Sequence, residues 1–423
     1  MRRYESYKDS GMEWLGEIPS HWELTIGMNV FRENKRDNKG MKEKTVLSLS
    51  YGQIIIKPEE KLVGLVPESF ETYQIVEPND IIIRCTDLQN DQTSLRTGLA
   101  KDKGIITSAY LNLKVINNHS AKFLHYYLHA LDITKVLYKF GSGLRQNLSF
   151  LDFKRLPIID IPLSEQQKIA QFLDDKTAKI DQAVDLAEKQ IALLKEHKQI
   201  LIQNAVTRGL NPDVPLKDSS VEWIGQVPEH WKLTIGMNVF RENKRDNKGM
   251  KENTVLSLSY GKIIIKPEEK LFGLVPESFE TYQIVEPNDI IIRCTDLQND
   301  QTSLRTGLAQ DKGIITSAYL NLKVINNYSA KFLHYYLHAL DITKVLYKFG
   351  SGLRQNLSFL DFKRLPIIDI PLAEQQQIAD YLDAQIIKID QAIALKTAHI
   401  EKLKEYKSVL INDVVTGKVR VSV

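Results

Sequence analysis

The sequence predicts a mixed α/β (α+β) fold. It is built as two repeated globular modules separated by two long antiparallel coiled-coil helices, in a pseudo-twofold, circular arrangement. Three observations predict it. A stretch from Leu24 to Leu163 returns from Leu233 to Leu372 at a constant offset of 209 residues. Inside that stretch, strand-like alternation and helical periodicity are interleaved. After each copy comes a segment free of proline and glycine whose apolar residues follow heptad spacing.

Glu23–Leu163 and Lys232–Leu372 differ at six of 141 positions: Glu23/Lys232, Lys44/Asn253, Gln53/Lys262, Val63/Phe272, Lys101/Gln310 and His119/Tyr328. The expected division is 1–163 for an N-terminal arm and the first module, and 164–212 for a central helical spacer and linker. The second module then takes 213–372, and 373–423 forms a C-terminal helical spacer.

The chain has 423 residues, 43% of them hydrophobic and 26% charged, a balance that supports more than one folded core. A net charge of +3 permits an anionic partner without demanding one. Cys85 and Cys294 occupy the same position in the two copies. One thiol per module can neither staple that module nor hold a structural zinc, so a reducing cytoplasm is expected. The opening residues show no apolar signal core, and no run reaches membrane-spanning length.

In chain order, residues 1–13 read as a loose polar arm. Trp14-Leu-Gly-Glu-Ile-Pro-Ser-His-Trp22 recurs as Trp223-Ile-Gly-Gln-Val-Pro-Glu-His-Trp231. It reads as a short helix, a proline turn and a tryptophan brace packed in a core. Thr45–Ser50, Gly52–Ile56, Asp80–Arg84, Gly104–Thr107 and Tyr110–Ile116 read as strands. Ser120–Leu137 reads as a helix, with Ser120 as N-cap and Phe123, Leu124, Tyr127, Leu128 and Leu131 on one face. Gly141-Ser-Gly143 breaks the pattern, and Ser149–Arg155 reads as a second short helix before Pro157.

Ile180, Val184, Ala187, Ile191, Leu194, Leu201 and Ala205 form a 4-3 seam with Lys198 as its polar position. Ile389, Ile393, Ile400, Leu403, Leu410 and Val414 form a second, with Lys396 and Lys407 as breaks. Ser164–Thr207 and Ala373–Thr416 differ at 22 of 44 positions. The modules are near-copies, whereas the helices read as divergent halves of one packed pair. Arg208–Ser220, with Gly209, Pro212 and Pro215, reads as a linker. Ala178–Thr207 alone would make a rod of about 45 Å. If the helices pack antiparallel, the C-terminus ends near the N-terminus and the chain carries a homodimer's closed symmetry. Duplex DNA offers inverted half-sites of matching symmetry about 34–36 Å apart per turn.

Three segments in each copy are candidates for DNA contact. The loop Gly141–Ser149, with Ser142, Arg145, Gln146 and Asn147, repeats as Gly350–Ser358 with Ser351, Arg354, Gln355 and Asn356. Arginine matches guanine and glutamine or asparagine matches adenine by paired hydrogen bonds. The same loop also reads as a polar cap in which Asn147 and Ser149 start the next helix. A second loop follows the apolar strand Ile81–Ile83 and carries Thr86, Asp87, Gln89, Asn90, Gln92, Ser94 and Arg96. Its copy carries Thr295, Asp296, Gln298, Asn299, Gln301, Ser303 and Arg305. It fits either groove entry or a solvated loop. Arg32, Lys35, Arg36 and Lys39, repeated as Arg241, Lys244, Arg245 and Lys248, suit phosphate contact. They equally suit a solvated helix end.

No catalytic constellation is found. His125 and His129 stand four apart without a third ligand, so no metal is expected. Pro212-Asp213 with Glu242-Asn-Lys244 faintly matches a nuclease arrangement, but Arg3-Tyr4 takes the place of Pro212-Asp213 in the first copy. The glycines of Gly141-Ser-Gly143 lack the lysine ending of a phosphate-binding loop.

The layout resembles the specificity subunit of type I restriction–modification enzymes. The resemblance is carried by Trp14–Trp22 and its copy, by the Gly-Ser-Gly-Leu-Arg-Gln-Asn-Leu-Ser loops, and by Pro162-Leu-Ser-Glu-Gln-Gln-Lys-Ile-Ala170 with Pro371-Leu-Ala-Glu-Gln-Gln-Gln-Ile-Ala379. Leu173-Asp174 and Ile180-Asp181 continue the third motif. It covers essentially the whole chain. It implies two target recognition domains, each reading half of a bipartite double-stranded DNA site. It also implies docking of two methyltransferase subunits and two helicase-nuclease restriction subunits. No active site or cofactor is implied in this chain; S-adenosylmethionine, ATP and Mg are expected on the partners. Members commonly carry two different recognition domains. Two near-identical ones imply identical, inverted half-sites. The rival readings are a stand-alone nuclease or methyltransferase and a two-headed protein-binding scaffold.

Overall fold

The computed structural model describes residues 2–421 except 59, 61–68, 89, 92, 141–146, 268, 270–277, 298, 301–302 and 350–355. The chain divides into two compact units. One is Met1–Ala187 with Ala398–Val423, and the other is Glu188–Thr397.

In the first unit the order is β1 (Tyr7–Asp9), β2 (Glu17–Pro19), β3 (Glu23–Ile26), β4 (Phe31–Glu33), β5 (Leu47–Ser50) and β6 (Gln53–Ile56). Then come β7 (Gln74–Val76), β8 (Ile81–Arg84), β9 (Thr97–Leu99), β10 (Gly104–Ile106) and β11 (Tyr110–Val115). Helices α1 (Ala121–Ile133) and α2 (Phe150–Arg155), strand β12 (Pro157–Asp160) and the start of α3 (Leu163–Arg208) follow. A four-stranded antiparallel sheet runs in the order β4-β11-β8-β9. β5 and β6 make a hairpin, β7 pairs with β10, and β12 pairs with β3.

Alternation along β8 explains its unbroken apolar run. Ile81 and Ile83 enter the main core with Phe31, Leu113, Phe123 and Tyr127. Ile82 points the other way, into a smaller core of Leu47, Ile54, Val76, Ala100 and Ile106. With both faces covered, the run Ile81–Ile83 has no position for a polar residue, and the first one, Arg84, comes where the strand ends. Helix α1 starts at Ser120, whose hydroxyl accepts the Phe123 N–H at 3.3 Å. It ends earlier than its periodicity suggests. Lys135 takes a left-handed φ of 62°, and Val136–Lys139 continues as a tighter 3-10 turn. Ser149 and Asp152 form a reciprocal capping box on α2.

The second unit repeats this plan. It contains β13 (Leu216–Asp218), β14 (Gln226–Pro228), β15 (Lys232–Ile235), β16 (Phe240–Glu242), β17 (Leu256–Ser259) and β18 (Lys262–Ile265). β19 (Gln283–Val285), β20 (Ile290–Arg293), β21 (Thr306–Leu308), β22 (Gly313–Ile315) and β23 (Tyr319–Val324) follow. α4 (Ala330–Ile342), α5 (Phe359–Arg364), β24 (Pro366–Asp369) and the part of α6 (Leu372–Val415) up to Thr397 complete it, with the end of α3 from Glu188. Ile290 and Ile292 again face the main core while Ile291 faces the satellite.

The long helices pair antiparallel inside each unit. In the second unit Lys198 of α3 donates to Asp390 of α6 at 2.7 Å, and Lys396 of α6 donates to Gln190 of α3 at 2.6 Å. In the first unit Lys407 of α6 donates to both oxygens of Asp181 of α3 at 2.7 Å. The polar breaks in the two seams are therefore the positions that bond across the pair and fix its register.

The motif residues tie module to helix. Glu165 of α3 accepts from Tyr4 at 3.0 Å and from the Trp22 indole at 3.2 Å, and lies 3.2 Å from His21 Nε2. Gln166 accepts the Ser120 N–H and donates to the Ile161 carbonyl, both at 2.8 Å. Asp174 accepts from Lys122 at 2.7 Å and Tyr126 at 2.8 Å. Glu374, Gln375 and Asp383 repeat these roles. The tryptophan brace is confirmed at Trp22 and Trp231, which are buried in their cores.

Two expectations are corrected. Residues 1–13 are not a loose arm: β1 pairs with β2, Arg2 bridges Arg420, and the Tyr7 hydroxyl donates to the Gly417 carbonyl at 3.2 Å. The Trp14–Trp22 segment holds a turn and strand β2 in place of a short helix, because Ile18 and Pro19 pair with the arm.

Candidate nucleic-acid interface

The two polar loops of each module meet. The first leaves β8 after Arg84 and returns at Arg96 into β9. Asn147, the first described residue of the second loop's end, accepts the Asp87 N–H through its side-chain oxygen at 2.9 Å. The next amide, Leu148 N–H, donates to the Cys85 carbonyl at 2.9 Å. Asp296 with Asn356, and Leu357 with Cys294, repeat both bonds. The capping role is confirmed at Ser149, while Asn147 instead joins the loops.

Within the first loop Asp87 has a left-handed φ of 60° and its carboxylate accepts from Asn90 at 2.7 Å. Asp91 accepts the Ser94 N–H at 3.0 Å and pairs with Arg84 at 3.0 Å, and these donors hold its carboxyl down at about 2. Thr86, Asn90 and Asn147 are exposed, and Asp87 and Ser94 are half-buried. In the second module Asn299 and Asn356 are exposed, and Thr295, Asp296 and Ser303 are half-buried. Gln89, Gln92, Ser142, Arg145 and Gln146, with Gln298, Gln301, Ser351, Arg354 and Gln355, lie outside the described residues.

Arg96 and Arg305 require a correction. Expected to reach bases, each is 0% exposed. The Arg96 guanidinium donates to the carbonyls of Arg84, Thr86, Asp87 and Asp91 and to the Tyr138 hydroxyl. Arg305 repeats this with Arg293, Thr295, Asp296, Asp300 and Tyr347. The backbone N–H of Arg96 donates to Asp132 at 2.6 Å. Burial raises Asp132 and its copy Asp341 to about 6.

The basic segment separates into two groups. Arg32, Lys35 and Lys39 are exposed, as are Arg241, Lys244 and Lys248. Arg32 lies on edge strand β4 opposite Lys114. Lys35 pairs with Glu33 at 3.2 Å, and Lys244 with Glu242 at 3.2 Å. Arg36 and Arg245 are half-buried and paired with acids. Arg36 bonds Asp80 at 2.7 Å and neighbours Glu77 at 3.4 Å, and Arg245 does the same with Asp289 and Glu286. Asp80 opens β8, at the opposite end from the loops. Burial outweighs its hydrogen bonds and Arg36, and raises its pKa.

His125 and His129 stack with ring centroids 6.0 Å apart, and burial holds them at about 4 and about 3. Among the described residues no cluster of three metal-ligating groups occurs. The β5–β6 hairpin tip was not among the segments expected to contact DNA. Tyr51 and Tyr260 are 93% and 91% exposed there, and Gly52 and Gly261 pack beside Leu95 and Leu304 of the first loop. A tyrosine before a glycine between two strand-like runs was the available signal.

The exchange His119/Tyr328 conserves its partner: His119 lies 3.3 Å from Asp160 and the Tyr328 hydroxyl donates to Asp369 at 2.9 Å. Lys262 and Gln310 line a cavity of about 690 Å³ in the second unit, facing α3 and α6 residues including Lys198 and Asp390.

The profile of the type I restriction modification DNA specificity domain matches residues 29–195. A putative type I restriction enzyme MjaX specificity subunit of Methanocaldococcus jannaschii is 23% identical, over 96% of each chain. The type I restriction enzyme MjaVIII specificity subunit of the same organism is 25% identical over 82% of this chain and 80% of its own. A chain from a structure of type I R-M system assembly and conformational transition shares the fold at a TM-score of 0.66. It is 14% identical and covers 95% of this chain and 99% of that one. The HsdS subunit from Thermoanaerobacter tengcongensis shares it at 0.53, with 15% identity over 95% and 98%. Residues 29–195 thus match a type I restriction modification DNA specificity domain, the chain is similar over most of its length to type I restriction enzyme specificity subunits, and it shares its fold of two modules and two long helices with the two solved chains.

Proposed function

We propose that each module reads one half of a bipartite, interrupted double-stranded DNA site, and that the two halves are the same sequence, inverted. The observation that carries this is the near-identity of the modules: six differences in 141 positions, with the same pair of joined loops in each. Thr86, Asn90 and Asn147, with Asn299 and Asn356, are the exposed described groups suited to base edges. Arg32, Lys35 and Lys39 and their copies supply phosphate contacts. The long helices dock two methyltransferase and two restriction subunits in the cytoplasm. Those partners bring S-adenosylmethionine, ATP and Mg, and this chain contributes no catalytic group.

The test is selection by the full chain from a pool of randomised duplexes. An interrupted palindrome should be enriched, with affinity falling steeply as salt rises. Enrichment of no sequence, with salt-independent binding, would favour a protein-binding scaffold.

A further inference from the structure

We infer that Arg96 and Arg305 are positioning residues for sequence reading, each guanidinium tying described residues of the first loop of its own module to the strand before it and to the 3-10 turn that precedes the second loop. The inference rests on the DNA reading proposed above. Burying a guanidinium is costly unless its donors are satisfied. Arginine has five N–H donors in a fixed plane. Arg96 uses a bond for each: Nε to Tyr138 at 2.9 Å, Nη1 to Arg84 at 3.3 Å and Thr86 at 2.7 Å, and Nη2 to Asp87 at 3.1 Å and to Asp91. Arg305 reproduces the set at 3.0, 3.3, 2.7 and 3.1 Å, with Asp300 as the last acceptor.

The acceptors explain the consequence. Four are backbone carbonyls, one at the end of β8 and three at Thr86, Asp87 and Asp91 of the first loop, so the side chain ties these three residues to the strand. The fifth, Tyr138, sits in the 3-10 turn that leads into the second loop, and its hydroxyl also lies 3.4 Å from the Asp91 carbonyl. The guanidinium carbon stands 5.1 Å from the Tyr138 ring. Asn147 then closes the far end of the second loop onto Asp87. The sheet bonds of β8 and β11 do not pass through this arginine. What Arg96 holds is the position of exposed Thr86 and Asn90. Lysine cannot replace it, since an ammonium has no planar fork to span five acceptors.

The experiment uses the full chain with Arg96→Lys in the first module only, leaving the second as an internal control. Duplex selection should return one intact half-site and one half with its base preference lost. The duplex selected by the parent chain should bind about tenfold more weakly, with a scrambled duplex unchanged. Hydrogen exchange should quicken at the amides of residues 86–96 while β8 and β11 stay protected. Tyr138→Phe, which removes one hydroxyl, should blur the same half to a smaller extent and supplies the answer if Arg96→Lys unfolds the module. Two intact half-sites from both variants would overturn the inference and leave the DNA reading standing. Failure of the parent chain to select any sequence would overturn both.

Discussion

Asn147 accepts the backbone N–H of Asp87 at 2.9 Å, and this bond joins two loops that lie 60 residues apart in the chain. The bond is exposed, so its loss should cost stability little, about 1 kcal/mol or less. Its loss should matter more to loop placement. Asn147→Ala combined with Asn356→Ala should leave the denaturation midpoint nearly unchanged while lowering the preference for the selected duplex over a scrambled one. Unchanged preference would remove the joined loops from DNA reading.

The anchor of each module on its helix differs in one partner. Glu165 takes Tyr4, His21 and Trp22, whereas Glu374 takes only His230 and Trp231 among the described residues. Glu165→Ala should therefore destabilise by more than Glu374→Ala, with each orphaned partly buried donor costing about 1–3 kcal/mol. Chemical denaturation of the two variants checks the order. Equal losses would mean that Tyr4 contributes nothing.

Four half-buried histidines set the response to acid. Burial holds His125 and His338 at about 4 and His129 and His334 at about 3. The unfolded chain takes up these protons near 6.5. Their contribution is therefore full above that value and is lost as pH falls through 4 to 3. Asp132 and Asp341 oppose them: raised to about 6, they contribute fully below the ordinary carboxylate range and lose it as pH rises through 6. Asp80, also raised by burial, acts in the same direction as these two. Between pH 4 and 6 four histidines outweigh the three aspartates. Stability should fall on acidification at up to about 1.4 kcal/mol per pH unit for each net proton. Denaturant midpoints at pH 7 and pH 5 test this, and His125→Phe with His334→Phe should flatten the slope. A midpoint that rises at pH 5 would show the reverse balance.

The N-terminal arm and the chain's last residues are bonded in the first unit through Arg2 with Arg420 and Tyr7 with Gly417. A circular permutant with these ends joined and the chain opened within 209–215 should fold and bind DNA, because that stretch precedes β13 and follows α3. Circular dichroism and duplex binding would show it. An insoluble or unfolded permutant would count against the clasp.

Much of the architecture was readable because it is periodic. Ile81–Ile83, the Ser120 cap and both heptad seams appear where their spacing puts them. The seam lysines looked like defects and proved to be cross-helix bonds, since a lysine's partner on another helix leaves no local mark. Arg96 misled for a related reason. A polar loop rich in Asp, Asn and Gln reads as solvated, and nothing local says that its carbonyls converge on one side chain. Tyr7–Asp9 read as a free arm because Gly417 stands far away in sequence and β2 looked helical. The glycine-rich loop's Arg145 and Gln146, the strongest base-reading candidates by residue type, lie outside the described residues.

If two near-identical modules read one half-site twice, in inverted orientation, the modified DNA must carry that symmetry. A methylation map of DNA from cells carrying this chain with the methyltransferase subunits proposed to dock on it would show it. A single interrupted palindrome is expected, with the same half-site on both sides of a fixed spacer. Two unrelated half-sites, or the same half-site in tandem, would rule the reading out.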